Sequence, residues 1–143
     1  MPIAALDLGR RRIGVAVTDA ASMGVHPLGI VERRSLKHDL DAIGALLRDR
    51  HVSTIVVGLP LNMDGSEGPA ARGARKFAEQ LREVLAVDVE MFDERLTSFE
   101  ARDRLAGMPV RKGTRKTGLD ALAAVVILEG WMQAHPEKIS RSR

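Results

Sequence analysis

Ile3-Ala4-Ala5-Leu6-Asp7-Leu8-Gly9-Arg10-Arg11-Arg12-Ile13-Gly14-Val15-Ala16-Val17 opens the chain with two apolar runs on either side of a short, glycine-bearing basic turn. Runs of this composition at residues 2–8 and 12–19 predict two strands of a hairpin. The turn lacks an Asn-Gly pair, so its type stays open. Asp7 falls at the tip of the first strand. An acid at the edge of a sheet, within reach of water and phosphate, is an anchor for a divalent cation, which makes phosphate chemistry the first expectation.

Outward from this hairpin, residues 25–34 predict a third strand, and Leu36, Leu40, Ile43 and Leu47 recur at helical spacing. Residues 54–58 form a short apolar run of the kind buried on both faces of a sheet, followed by a Gly/Pro/Asn-rich loop at 59–69. Helical periodicity returns over 70–85, and 87–92 predicts another strand. Thr97 and Glu100 form a capping box for a helix reaching Gly107; residues 108–118 read as a basic loop, and 119–133 as a final helix that is apolar nearly all round. The order βββαβαβαα predicts an α/β fold with a mixed five-stranded sheet and helices on both faces. One domain over residues 1–137 with a flexible basic tail at 138–143 is expected.

A chain of 143 residues is long enough for an autonomous core. The absence of cysteine excludes thiol catalysis and Cys-ligated zinc. Neither a signal peptide nor a membrane span is read, so a cytoplasmic protein is expected. The 22 Lys and Arg exceed the 19 Asp and Glu only slightly, but they cluster at 10–12, 33–34, 111–116 and 138–143. Such patches favour a polyanion such as nucleic acid, because neutralised phosphates release counterions; a solvated basic surface is the plainer reading. With three Phe, one Trp and no Tyr, a base-stacking platform is not expected.

Three positions carry acids in apolar surroundings: Asp7, the Asp93-Glu94 pair and Asp120. Ligands gather outside the carboxyl ends of parallel strands, so Asp7 and Asp93-Glu94 converge if their strands are parallel neighbours, and a helix across that edge brings in Asp120. Carboxylates brought together repel unless a cation lies between them, and Mg²⁺ or Mn²⁺ is the ion such oxygen donors select. Each acid also has a structural reading. Asp7 suits a turn, Asp93 and Glu94 suit a loop before a capping box, and Asp120 fits a capping box with Thr117. Strand alternation sends Asp93 and Glu94 to opposite faces, so one of them enters a shared site.

His26, His38, His51 and His135 have no metal-ligand spacing, and Ser66 and Ser98 lack an evident His–acid partner. Asn62, Asp64 and Ser66 suit either phosphate contact or turn chemistry. Candidate substrate contacts are Arg10, Arg11, Arg12, Asn62, Arg95, Lys112, Arg115 and Lys116, with solvent exposure as the alternative.

Four ordered motifs resemble the YqgF/RuvX family: Asp7-Leu8-Gly9 with Ile13-Gly14-Val15-Ala16; Val57-Gly58-Leu59-Pro60 with Asn62 and Gly65; Asp93-Glu94-Arg95-Leu96-Thr97; and Asp120-Ala121 with Ala123-Ala124 and Ile127-Leu128. The likeness spans nearly the whole chain. It implies an RNase H-like fold and a metal-dependent nuclease using Mg²⁺ or Mn²⁺, with Asp7, Glu94 or its neighbour Asp93, and Asp120 as metal ligands in a two-metal mechanism. It further implies maturation of the 5′ end of precursor 16S rRNA, with branched DNA at Holliday junctions as the alternative substrate. The partners so implied are structured RNA and ribosomal precursor particles, for a monomer or homodimer. Two other classes compete. The Asp-x-Gly turn also resembles the phosphate loop of sugar kinases and actin-like ATPases, which clasp ATP between two such domains where this chain supplies one. A non-catalytic RNA-binding assembly factor is the third.

Overall fold

The computed structural model describes residues 2–19, 24–96 and 115–137, with side chains of the last segment described from Ala121 onward. Strands β1 (Ile3–Leu8), β2 (Arg12–Thr18) and β3 (Val25–Glu32) are followed by helix α1 (Leu36–Leu47), β4 (Thr54–Leu59), α2 (Pro69–Leu85), β5 (Asp88–Asp93), a 3-10 turn (Glu94–Leu96) and α3 (Arg115–Ala134). They form one five-stranded sheet in the order β3-β2-β1-β4-β5. The first three strands are an antiparallel meander, whereas β1, β4 and β5 run parallel. The mixed sheet read from the sequence is therefore the sheet observed.

Alternation along the strands assigns side chains to two faces. Ala4, Leu6, Ile55, Val57 and Val89 pack with Leu40 and Ile43 of α1 and Phe77 and Leu81 of α2. Ile3, Ala5, Val56 and Phe92 pack on the other face with Ala124, Ile127, Leu128 and Trp131 of α3. The small residues Ala5 and Ala16 lie under α3 and leave room for the indole of Trp131, which is 1% exposed. Burial of each large apolar side chain contributes about 1.5–3 kcal/mol, so both faces are needed to hold a sheet of short strands.

Local signals set the helix ends. Ser35 caps α1 by accepting a 3.1 Å hydrogen bond from the His38 N–H. Pro69 occupies the first turn of α2, where its missing N–H costs nothing. Two expectations change at α3. It begins at Arg115 rather than at Leu119, so Arg115 and Lys116 leave the predicted loop, and Thr117 and Asp120 lie inside the helix rather than forming its capping box. Arg and Lys are good helix formers, and the Gly118 between them and the apolar run costs only about 1 kcal/mol against Ala. The predicted helix at 97–107 lies outside the described residues. No described helix is long and apolar enough to cross a membrane.

Candidate active site

Parallel pairing brings the carboxyl ends of β1, β4 and β5 to one edge. The β1–β4 register runs to Leu6 opposite Val57, so Asp7 comes beside Gly58. Asp7 is half-buried and shares its side of β1 with Ile3 and Ala5, under α3. On the other flank of β4, Gly58 is paired with Phe92 and Leu59 with Asp93. Glu94 follows at once and opens the 3-10 turn.

Gly58 lies between the strand ends that carry the two acids. A Cβ at this position would collide with Oε1 of Glu94 and come 2.8 Å from Cδ1 of Ile127. The Glu94 side chain therefore reaches back across β4, on the α3 face, into space that exists because residue 58 has no side chain. Asp7 and Glu94 flank Gly58 on that same face. Adjacent strands alone would leave the two acids separated by the width of a strand; the glycine removes the obstacle between them.

Asp93 goes the other way. Val89 and Met91 of β5 line the face covered by α1 and α2, and Asp93 continues that row. Its carboxylate accepts from Arg95, at 2.8 Å from Nη2 and 3.1 Å from Nε, and from the Arg95 backbone N–H at 2.9 Å. The Arg95 side-chain hydrogen bond holds its carboxyl below the usual aspartate range, against the opposing effect of burial. Arg95 also donates to the carbonyl of Met63 at 3.2 Å, tying the turn that carries Glu94 to the loop after β4.

That loop is internally bonded. The Asn62 amide donates to Oγ of Ser66 at 2.9 Å, Ser66 donates to Asp64 at 2.6 Å, and Gly65, at φ +87°, donates to the Asn62 carbonyl. Asn62 and Asp64 thus perform the turn chemistry that was one of their two readings. Bonding by Ser66 holds the Asp64 carboxyl below its ordinary range.

Asp120 has its backbone in α3, about two turns ahead of Ile127; its side chain lies outside the described residues, as does Lys112. Arg115 and Lys116 enter as backbone of the first turn of α3, their side chains likewise not described. Among the described residues no group of three His, Asp or Glu gathers around Asp7 and Glu94.

The predicted arginines divide. Arg10 and Arg11 are exposed at the β1–β2 turn beside Asp7, whereas Arg12 faces Glu32 at 4.0 Å across the β2–β3 pair. Sequence reading missed a neighbouring network. Asp39 in the first turn of α1 is buried and accepts from the Arg34 backbone N–H at 3.0 Å, with Arg33 at 3.6 Å and Nδ1 of His38 at 3.0 Å. Arg33 donates to the Gly9 carbonyl at 2.8 Å and lies over the Phe77 ring. The one available signal was an acid placed between apolar positions early in α1, and it reads equally well as a charge complementing the helix dipole.

A family model described as "RuvX: Holliday junction resolvase" matches residues 1–134. A curated relative from Anaeromyxobacter sp. (strain Fw109-5), named "Putative pre-16S rRNA nuclease", is 51% identical over 127 residues, covering 89% of this chain and 93% of its own. One of the same name from Myxococcus xanthus (strain DK1622) is 45% identical over 130 residues, covering 91% and 86%. Among solved structures, Thermus thermophilus RuvC in complex with a Holliday junction substrate aligns with a TM-score of 0.56 at 15% identity, over 94% of this chain and 96% of that one. At that identity the likeness is one of fold, and it bears out the RNase H-like architecture implied by the four motifs.

Proposed function

The chain belongs to the RuvX family, and from that premise we propose that it is a divalent-metal-dependent nuclease of the cytoplasm that hydrolyses phosphodiester bonds in maturing the 5′ end of precursor 16S rRNA within ribosomal precursor particles. The observation that carries this reading is the Glu94 side chain lying over Gly58, beside the strand end that carries Asp7, at the sheet edge where parallel α/β folds bind ligands. The names of the relatives support the choice of RNA.

The donor set fits a hard cation. Asp7 and Glu94 offer carboxylate oxygens without nitrogen or sulfur, which suits Mg²⁺ or Mn²⁺. Two like charges on one face of the sheet are also relieved by a cation. Asp7, Glu94 and Asp120 are the residues proposed to hold it. A pair of such ions, when bound, supplies acidification of the attacking water and charge neutralisation on the phosphate. The protein contributes the rest. Glu94 is held over Gly58 by the turn that Asp93 and Arg95 stabilise, and Arg10 and Arg11 offer charge to the backbone of the polymer beside Asp7. Lys112, Arg115 and Lys116 are the further residues proposed to contact phosphates.

Purified protein incubated with a precursor 16S rRNA fragment in Mg²⁺ or Mn²⁺ tests the reading. Metal-dependent cleavage that Asp7→Asn abolishes, with RNA binding retained, is the expected result; cleavage unaltered in Asp7→Asn and Asp120→Asn would sink the assigned site. The family description favours a second reading, cleavage of four-way DNA junctions, and the same assay on a junction separates the two.

A further inference from the structure

The adjacent arginines 33 and 34 face different tasks. Arg33 is laid against the fold: it meets the buried Asp39, lies over Phe77 and donates to the Gly9 carbonyl. Arg34 is exposed, and only its backbone N–H is used, by Asp39. Its guanidinium has no carboxylate in reach among the described residues. The same holds for Arg10 and Arg11, whereas Arg12, Lys37, Arg75 and Arg95 are each matched by an acid. Neutralised cations contribute little to a polyanion's affinity; unmatched ones contribute fully.

Chain pairing gathers these three. Arg12 is opposite Glu32, and the Arg33 N–H donates to the Arg11 carbonyl at 2.8 Å, so the end of the β2–β3 ladder sets 10–11 beside 33–34. Two basic clusters that are remote in sequence become one surface at the Asp7 end of the sheet, on the β3 side. The contact of Arg33 with Gly9 fixes the turn that carries Arg10 and Arg11, and the bond from Arg34 to Asp39 fixes the other half. The surface is thus held from beneath at both halves.

We propose that Arg34, with Arg10 and Arg11, forms a phosphate-binding surface that takes a stretch of nucleic-acid backbone leading away from the catalytic acids across the β3 edge, and that Arg33 and Asp39 are its supporting pair. The inference rests on the proposed nuclease reading for its polymer, but it concerns binding and needs no cleavage. It turns one half of the basic 33–34 cluster into a defined contact and joins it to the turn at 10–11.

Binding is measured without divalent metal, by fluorescence anisotropy, to a precursor 16S rRNA fragment and separately to a four-way DNA junction, over a series of KCl concentrations. The slope of log Kd against log salt is expected to fall by about 0.7–0.9 for Arg34→Gln, and by similar steps when Arg10→Gln and Arg11→Gln are added. Arg50→Gln is the control. It removes the same charge from the exposed loop between α1 and β4, at the opposite end of the sheet, and is expected to leave the slope unaltered. A drop confined to one polymer identifies the backbone that the surface takes. An unchanged slope for Arg34→Gln on a polymer that the wild type binds overturns the proposal alone, as does an equal drop for Arg50→Gln. Cleavage lost in Asp7→Asn, with the Arg34 slope effect absent, leaves the nuclease reading standing. Failure of the wild type to bind either polymer overturns both.

Discussion

The carboxylate of Glu94 occupies the space that a side chain at Gly58 would fill. A strand residue in the middle of a parallel sheet is ordinarily β-branched, and three such residues, Ile55, Val56 and Val57, precede this glycine. The glycine sacrifices strand propensity and admits an acid from the neighbouring strand's end.

Gly58→Ala is therefore expected to damage activity more than stability. The added methyl collides with Glu94 and with Ile127, and relief requires the carboxylate to swing away from Asp7. Overpacking of this kind costs about 1–3 kcal/mol, which thermal unfolding would register as a modest fall in Tm. Cleavage should fall about tenfold or more, in line with losses seen when groups supporting a metal site are disturbed. A variant with full cleavage would show that Glu94 need not lie over residue 58.

Asp93 and Glu94 are expected to separate by mutation. Glu94→Gln should abolish metal-dependent cleavage while leaving the Tm nearly unaltered. Asp93→Asn should leave cleavage measurable but reduced about tenfold, because it loosens Arg95 and with it both the turn carrying Glu94 and the contact to Met63. A metal titration distinguishes the two: excess Mn²⁺ should recover part of the Asp93→Asn loss and none of the Glu94→Gln loss.

This pair also marks what the sequence could reveal. Alternation predicted that only one of two adjacent acids would enter a shared site, and strand counting predicted the mixed sheet, since both depend on local patterns of period two. That Glu94 reaches over the α3 face depends on Gly58, a residue remote in sequence whose missing side chain carries no periodic signal. The Arg33–Asp39 contact was illegible for a similar reason: it joins the end of a strand to the first turn of a helix, and its distance from Gly9 is set by the β2–β3 register. Gly118 resembles a helix boundary, so the sequence pattern places the start of α3 after it, whereas the packing of Ala124, Ile127 and Trp131 stabilises a helix that continues back to Arg115.

Gly9→Ala should disturb the basic turn. The Gly9 N–H donates to the Arg12 carbonyl at 2.8 Å, and a Cβ on Gly9 would come 2.7 Å from that same oxygen. The obstacle is backbone on both sides, so no rotamer change relieves it. A stability loss of about 1–3 kcal/mol is expected, read by urea denaturation, together with weaker RNA binding at low salt as Arg10 and Arg11 lose their setting. Arg10→Gln, which leaves the turn intact, should weaken binding without the stability loss.

Acid should destabilise the fold through Asp39. Burial opposes its charge, but hydrogen bonds from His38 and the Arg34 N–H, with the nearby Arg33 guanidinium, outweigh burial and hold its carboxyl below the ordinary aspartate range. A folded-state value below the unfolded one means that the unfolded chain binds the proton more readily. The stabilisation is therefore complete above the unfolded value of about 4 and is lost as pH falls through the lower folded value. Urea midpoints measured from pH 7 down to pH 3 should fall most steeply below about pH 4. Asp39→Asn should be less stable at pH 7, because Arg33 loses its buried counter-charge, and its midpoint should depend less on pH over the acid range. An Asp39→Asn variant that tracked the wild type throughout would mean that this carboxylate contributes nothing to holding Arg33 against the turn at Gly9.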